Sequence, residues 1–277
     1  MKKFAVIGNP IDHSLSPALH MEIYNQLNFK AKYYLEKISS NELDFFINNN
    51  NYDGVNITIP HKENVIKIVK KIDRSAKIIG AINCLKKDNG FNTDWIGFLY
   101  SMKVNNVNLK DKNCLILGSG GVARAITYSL STSNVKGIKI QGRNNIKVKL
   151  LQDWINNLYP KNSIFEIPNL IINCTPIGMH PYIEDIPIKI NKLDKETILI
   201  DTIYNPLETK WLFEGKKIGL KTIGGLDMFI AQGIISAEKW FNKKIFDKLD
   251  LQEIRKKLMS INFHIFSILI QKKSETI

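Results

Sequence analysis

Two successive α/β domains, each built on a largely parallel sheet, with C-terminal helices returning to the first, are predicted for this chain on three observations. Short apolar runs bounded by turn residues alternate with longer helical patterns. The alternation is interrupted once, by the polar stretch SMKVNNVNLKDKN at 101–113, and then resumes. A length of 277 residues suits two domains of ordinary size better than one core.

The first series reads KFAVIG (3–8), SPALHMEIYNQLNF (16–29), KYYLEKI (32–38), NELDFFINN (41–49) and GVNITIP (54–60), strand and helix in turn. The second reads NCLILGSGG (113–121), GIKIQGR (137–143), LIINCTP (170–176), TILIDTIY (197–204) and KTIGG (221–225). Two helical patterns follow, DMFIAQGIISAEKWF (227–241) and DLQEIRKKLMSINFHIF (250–266). The expected division is therefore 1–103 for a first domain, 104–236 for a second and 237–277 for helices packing back on the first, with a cleft between the domains.

Composition narrows the function. Hydrophobic residues make up 44% of the chain, which excludes a disordered polymer. The net charge of +13 comes from scattered lysines with no basic stripe and no interleaved aromatics, so small anionic ligands are expected and nucleic acid is not. Cys84, Cys114 and Cys174 stand far apart, outside any zinc or disulfide spacing, and imply a reduced, cytoplasmic setting without metal. The start, MKKFAVIGNP, is too short for a signal-peptide core, and NFHIFSILI (262–270) is too short to span a bilayer, so no membrane role is expected.

LILGSGGVARA at 115–125 places Gly118, Gly120 and Ala123 in the order G-x-G-x-x-A between a strand and a helix, with Ser119, Gly121 and Val122 completing the loop. Glycines there allow a tight turn and close approach of a pyrophosphate, which the amides of the helix N-terminus bind. This predicts a Rossmann-like, doubly wound second domain that holds a dinucleotide. Where NAD proteins end the next strand with an acid, this chain has Gly142 and Arg143, followed by Lys147 and Lys149. An arginine suits a 2′-phosphate, so NADP is expected over NAD. For the two lysines a solvated basic turn stays open.

The first domain collects polar groups at strand ends. Ser14 and Ser16 precede a helix; Ser16 ahead of Pro17 is a natural N-cap, whereas Ser14 lacks a structural reason and with Ser16 could bind a carboxylate. Asn56, Thr58 and Lys62 lie in NITIPHK, Asn83 in GAINC and Asp94 in FNTDWIGF. Their place beside strand ends is where a parallel sheet forms its ligand crevice. Asn92 and Thr93 are expected as turn residues.

With GNPIDHSLSP, NITIPHK, GAINC, NTDWIGF, GSGGVARA, NCTPIGM, IYNP and GLDMFIAQG in this order, the chain resembles the shikimate dehydrogenase family to about Trp240. The resemblance implies a two-domain oxidoreductase reversibly reducing 3-dehydroshikimate to shikimate with NADPH. It implies that Ser14 and Ser16 hold the substrate carboxylate, that Asn83 and Asp94 hold ring hydroxyls, and that Thr58, Tyr204 and Gln232 add contacts. Lys62 and Asp94 would be the catalytic pair, Lys62 protonating the substrate oxygen and Asp94 holding it, with His13, His20 and His61 as rivals and His20 structural. Asn173, Thr175, Gly225 and Met228 would face the nicotinamide. The implied partner is the small-molecule substrate; a homodimer stays open. An NAD-accepting quinate and shikimate dehydrogenase and a non-catalytic dinucleotide sensor are the alternatives. Departures from the family are Cys84 for threonine, GRN for NRT around Arg143, and a tail from about Met259, expected as an appended helix.

Overall fold

A computed structural model describes residues 1–12, 14–191 and 193–261. His13 and most of the tail expected as an appended helix lie outside the described residues, although residues 251–261 are helical.

Strands β1 (Lys2–Gly8), β2 (Ala31–Lys37), β3 (Gly54–Ile57), β4 (Lys71–Ile72), β5 (Cys84–Lys86) and β6 (Asn89–Phe91) form one sheet in the order β2-β1-β3-β5-β6-β4. Parallel pairing joins β1 to β2 and β3. β5 runs antiparallel to both β3 and β6, so the parallel sheet expected here extends through β2-β1-β3 and then becomes mixed. The cause is local. Only Lys87 and Asp88 separate β5 from β6, a hairpin length, and Lys87 takes the left-handed conformation at φ 50°. Helices α1 (Ser16–Gln26), α2 (Leu43–Asn49), α3 (Arg74–Ile79) and α4 (Asp94–Val104) accompany this sheet.

The second sheet contains β7 (Asn113–Leu117), β8 (Gly137–Gln141), β9 (Leu170–Asn173), β10 (Ile198–Asp201) and β11 (Lys221–Ile223), all parallel, in the order β11-β10-β9-β7-β8. With α5 (Gly121–Ser131), α6 (Asn145–Leu158) and α7 (Lys210–Lys217) it forms the doubly wound unit. Its central strands are apolar along their length because helices cover both faces. Strand order reverses between β7 and β9. Such a reversal opens a crevice at the strand C-termini, here between Gly118 and Cys174.

Helix α8 (Leu226–Phe241) bridges the two cores: Met228 packs in the second, while Phe229, Ile230, Ile234 and Trp240 pack in the first. Trp240 stacks on Phe4 at 4.6 Å and donates its indole N–H to the Leu85 carbonyl at 2.8 Å. Ile254 and Leu258 of the last helix join the same core. Residues 103 and 104 both belong to α4, and 236 and 237 both to α8, so each expected boundary falls inside a continuous helix.

Candidate active site

Lys62 follows β3 by five residues, and its backbone is tied to the segment before β5, its carbonyl accepting the Ile82 N–H at 2.8 Å. Its ammonium nitrogen lies 2.7 Å from Asp94 Oδ2, and only 11% and 5% of the two side chains are exposed. Asp94 opens α4, where a carboxylate opposes the positive end of the helix dipole. Asn83 Nδ2 donates to Asp94 Oδ1 at 2.8 Å, and Asn83 Oδ1 accepts the Thr93 N–H at 2.7 Å. The Gln232 side-chain oxygen reaches Asn83 Nδ2 at 3.4 Å from α8. Lys62, Asp94, Asn83 and Gln232 are thus one connected cluster, although four separate segments supply them. Asn92 is the turn residue expected, its Oδ1 accepting the Asp94 N–H at 3.1 Å.

Asn56 does not face the crevice. Its Oδ1 accepts from the Tyr33 hydroxyl at 2.8 Å and from His20 Nε2–H at 3.1 Å, while its Nδ2 donates to Ser236 Oγ at 3.0 Å and the Asn83 carbonyl at 3.2 Å. Four bonds saturate the amide, so the polar side of β3 is an internal network. His20 stacks on Tyr33 at 4.3 Å, and burial pushes its pKa down to about 3. It is a neutral structural ring, as expected. His61 is also buried, its Nε2 bonded to the Ile38 carbonyl at 2.7 Å.

The serine pair is placed differently from expectation. Helix α1 starts at Ser16 itself, after Leu15, and has no side-chain cap from Ser16. Instead Ser14 Oγ accepts the Ser16 N–H at 3.2 Å. Leu15 already bends toward helical geometry, with ψ 1°, which moves the polar cap one residue upstream. The Ser16 side chain lies beside the Tyr33 hydroxyl, and the Ser14 side chain beside that of Tyr204. Tyr204 stacks on Phe229 at 3.9 Å, so it reaches from the loop after β10 to the serine pair. Thr58, half-buried at the end of β3, packs beside Gly8.

In the glycine loop Gly118 has φ 113°, and a Cβ there would meet the Cys174 carbonyl at 3.1 Å. Only glycine satisfies both conditions. Gly120 caps α5 without a side chain, leaving the first amides of the helix for a ligand, and buried Ala123 lets the helix pack closely on the sheet. Ser119 and Val122 flank this bare backbone. Such a cradle at a topological switch point fits a pyrophosphate. Beyond β8, Arg143 and Lys147 are exposed and in no ion pair among the described residues, whereas Lys149 pairs with Asp153 at 3.0 Å. Asn144 caps α6 by accepting the Lys147 N–H at 3.0 Å, which accounts for asparagine after Arg143. The donor set suits a 2′-phosphate.

Asn173 turns its side chain away from the crevice, whereas the Thr175 methyl lies 3.3 Å from where a Gly118 Cβ would stand. Asn173 is fully buried; its Oδ1 accepts from Thr175 N–H at 3.0 Å and Thr175 O–H at 2.7 Å. Gly225 caps α8 against the Thr202 carbonyl, which a Cβ would meet at 2.4 Å, and Met228 is buried beside it. This side of the crevice is therefore lined by backbone and by the Thr175 methyl. Sequence reading misses Asp201, whose buried carboxylate anchors Asn173. The signal is present, an acid ending the apolar run TILID.

Residues 6–85 match the shikimate dehydrogenase substrate binding domain. A shikimate dehydrogenase (NADP(+)) of Methanococcus maripaludis (strain DSM 14266) is 38% identical over 256 residues, which cover 86% of this chain and 91% of the relative. A crystal structure of shikimate dehydrogenase in complex with NADP+ shares the fold at a TM-score of 0.86 and 32% identity, over 94% of this chain and 95% of that one. The Thermus thermophilus enzyme in complex with NADP(H) and shikimate gives a TM-score of 0.82 at 27% identity, over 93% and 98% of the two chains. Identity sustained over nearly the full length of both chains, on the same two-sheet fold, places this chain in the shikimate dehydrogenase family.

Proposed function

We propose that the chain catalyses the reversible reduction of 3-dehydroshikimate to shikimate with NADPH. The observation that carries the reading is the Lys62–Asp94 pair, nearly buried at 2.7 Å and set directly against the glycine loop. NADPH supplies the hydride when bound. As negative charge develops on the substrate carbonyl oxygen, the Lys62 ammonium donates a hydrogen bond and then its proton to that oxygen. Asp94 fixes the lysine and, with Asn83, Gln232 and Thr58, the ring hydroxyls. Ser14, Ser16 and Tyr204 receive the carboxylate. The glycine loop from Gly118 to Ala123 takes the pyrophosphate, Arg143 and Lys147 the 2′-phosphate, and the backbone around Asn173, Thr175, Gly225 and Met228 borders the nicotinamide.

This reading assigns residues 1–103 to a substrate unit and 104–236 to a cofactor unit, and the described residues from 237 onward to helices packed on the first. The return of the chain to the first unit is supported by α8 and the helix after it, whose Trp240, Ile254 and Leu258 pack in the first core. Three unpaired cysteines support a cytoplasmic setting, and no described helix is long and apolar enough to cross a membrane. β2 is an edge strand of the first sheet, where a second copy could pair, and sedimentation of the purified chain decides between monomer and homodimer. The reaction is tested by NADPH oxidation with 3-dehydroshikimate, with NADH as control and quinate as the competing substrate of the reverse direction. No turnover of 3-dehydroshikimate would overturn the proposal; equal use of NADH and of quinate would replace it with the broader dehydrogenase.

A further inference from the structure

Asp201 ends β10 with only 1% of its surface exposed. Its Oδ1 accepts the Ile203 N–H at 3.0 Å, its Oδ2 accepts the Thr209 O–H at 2.9 Å, and both oxygens lie 3.2 Å from Asn173 Nδ2. Among the described residues no lysine, arginine or histidine pairs with it. Burying a carboxylate without a cation is costly, and burial has pushed the Asp201 pKa up to about 6. Simple packing does not require such a residue.

The donors belong to different parts of the fold. Asn173 ends β9, Ile203 lies in the loop after β10 that carries Tyr204, and Thr209 caps α7. From Asn173 the order passes onward, since its Oδ1 holds Thr175 and the Thr175 hydroxyl accepts the Ile177 N–H at 3.2 Å. That loop forms the wall against Gly118, with the Cys174 carbonyl 3.1 Å from where a Cβ would stand. On the other side, the Thr202 carbonyl packs on Gly225, and Tyr204 stacks on Phe229 beside Ser14. One carboxylate therefore reaches both walls of the crevice without touching it.

We infer that Asp201 is a positioning residue: its carboxylate locks the loop after β9 to the loop after β10, so that the wall of the glycine cradle and Tyr204 are held in one register. The inference rests on the proposed function, because it takes the cradle as the NADPH site. An amide at this position cannot substitute. It has one acceptor oxygen in place of two and turns an N–H toward groups that are themselves donors.

The test is NADPH binding to the full chain without substrate, followed by cofactor fluorescence, together with KM and kcat for 3-dehydroshikimate reduction. Asp201→Asn is expected to weaken NADPH binding about tenfold or more, the scale of a buried donor left without its acceptor. Thr209→Val is expected to weaken it less, and Thr209→Ser, which keeps the hydroxyl, to restore most of the loss. Asp201→Asn and Thr209→Val chains that bind NADPH as tightly as the parent while melting earlier would reduce the network to scaffolding. If Asp201→Asn does not fold, the contrast between Thr209→Val and Thr209→Ser decides alone. Failure of the parent chain to bind NADPH would remove the proposed function and this inference together. Binding without turnover would remove only the reaction.

Discussion

Gly121 lies against Lys62 so closely that a Cβ added to the glycine would stand 2.8 Å from Lys62 Cβ. The first residue of α5, in the second unit, thus rests on the stem of the lysine that the first unit presents. Two requirements of the proposed reaction meet in this contact: bare backbone for a phosphate and a fixed proton donor for the substrate. The distance between the two chemistries is set by covalent structure on both sides.

Gly121→Ala is therefore predicted to act on chemistry more than on binding. The new methyl would press on Lys62 Cβ and lie 3.4 Å from Lys62 Cδ, displacing the stem that carries the ammonium. Overpacking of this kind costs about 1 to 3 kcal/mol, offset in part by the better helix propensity of alanine. A kcat lowered about tenfold, with NADPH affinity changed less, is the expected result, since small misplacements of a catalytic group carry losses of this order. Turnover at the parent rate would mean that the stem yields freely.

Lys62→Ala should leave NADPH binding intact and cut kcat by about a hundredfold or more, the scale of a positioned acid-base group. Asp94→Asn removes the carboxylate 2.7 Å from the ammonium and should also slow turnover. Because the pair acts as one unit, the double variant should lose much less than the product of the two single losses. Multiplicative losses in steady-state kinetics would assign the two residues to separate tasks.

The sequence makes some parts of this site legible and hides others for a physical reason. Alternating strand and helix patterns, the glycine loop and Arg143 are local signals, each readable within a dozen residues. Lys62 and Asp94 pair only through the family resemblance, since 32 residues separate them and no local period links them. Asn56 reads as a crevice residue because its polarity is visible. Its four partners are not, coming from β2, α1, α8 and the segment before β5. The direction of β5 depends on the short hairpin after it, and the cap of α1 on a backbone angle at Leu15. Asp201 escapes a sequence reading because its partners Asn173 and Thr209 converge only once β9 and β10 are neighbours.

The serine pair should separate in stability and binding. Ser14 caps the Ser16 N–H and lies beside Tyr204, so Ser14→Ala is expected to destabilise the chain by about 1 kcal/mol and to raise the KM for shikimate. Ser16 is more buried, and its side chain lies against Tyr33, so Ser16→Ala should raise that KM less. Paired melting curves and KM values check the order. A larger melting loss in Ser16→Ala than in Ser14→Ala would restore the cap to Ser16.

Arg143 decides the cofactor if its guanidinium takes the 2′-phosphate. Arg143→Ala should then raise the KM for NADPH by the equivalent of about 1.5 to 3 kcal/mol, as for a charge-assisted hydrogen bond, and leave NADH use nearly unchanged. Since Arg143 is exposed and unpaired among the described residues, its removal should not shift the melting temperature. Equal weakening of both cofactors would move the arginine away from the phosphate.

His20 and Asp201 should impose opposite pH dependences on stability. Burial lowers the His20 pKa from 6.5 to about 3, so the unfolded chain binds a proton that the fold refuses, and the His20 contribution is lost as pH falls below 6.5. Asp201 moves the other way, from 3.8 to about 6; its contribution is fully present below 3.8 and is lost as pH rises through 6. Between about pH 4 and 6 the two slopes oppose, each close to about 1.4 kcal/mol per pH unit. Removing one member exposes the other. Relative to the parent chain, His20→Phe should lose stability as pH rises across this window, while Asp201→Asn should gain it. Urea unfolding of the three chains at about pH 4.5 and about pH 6 measures both differences, with the remaining titrating groups common to all. Slopes of the same sign in the two variants would mean that His20 is charged in the fold or that Asp201 stays ionised throughout.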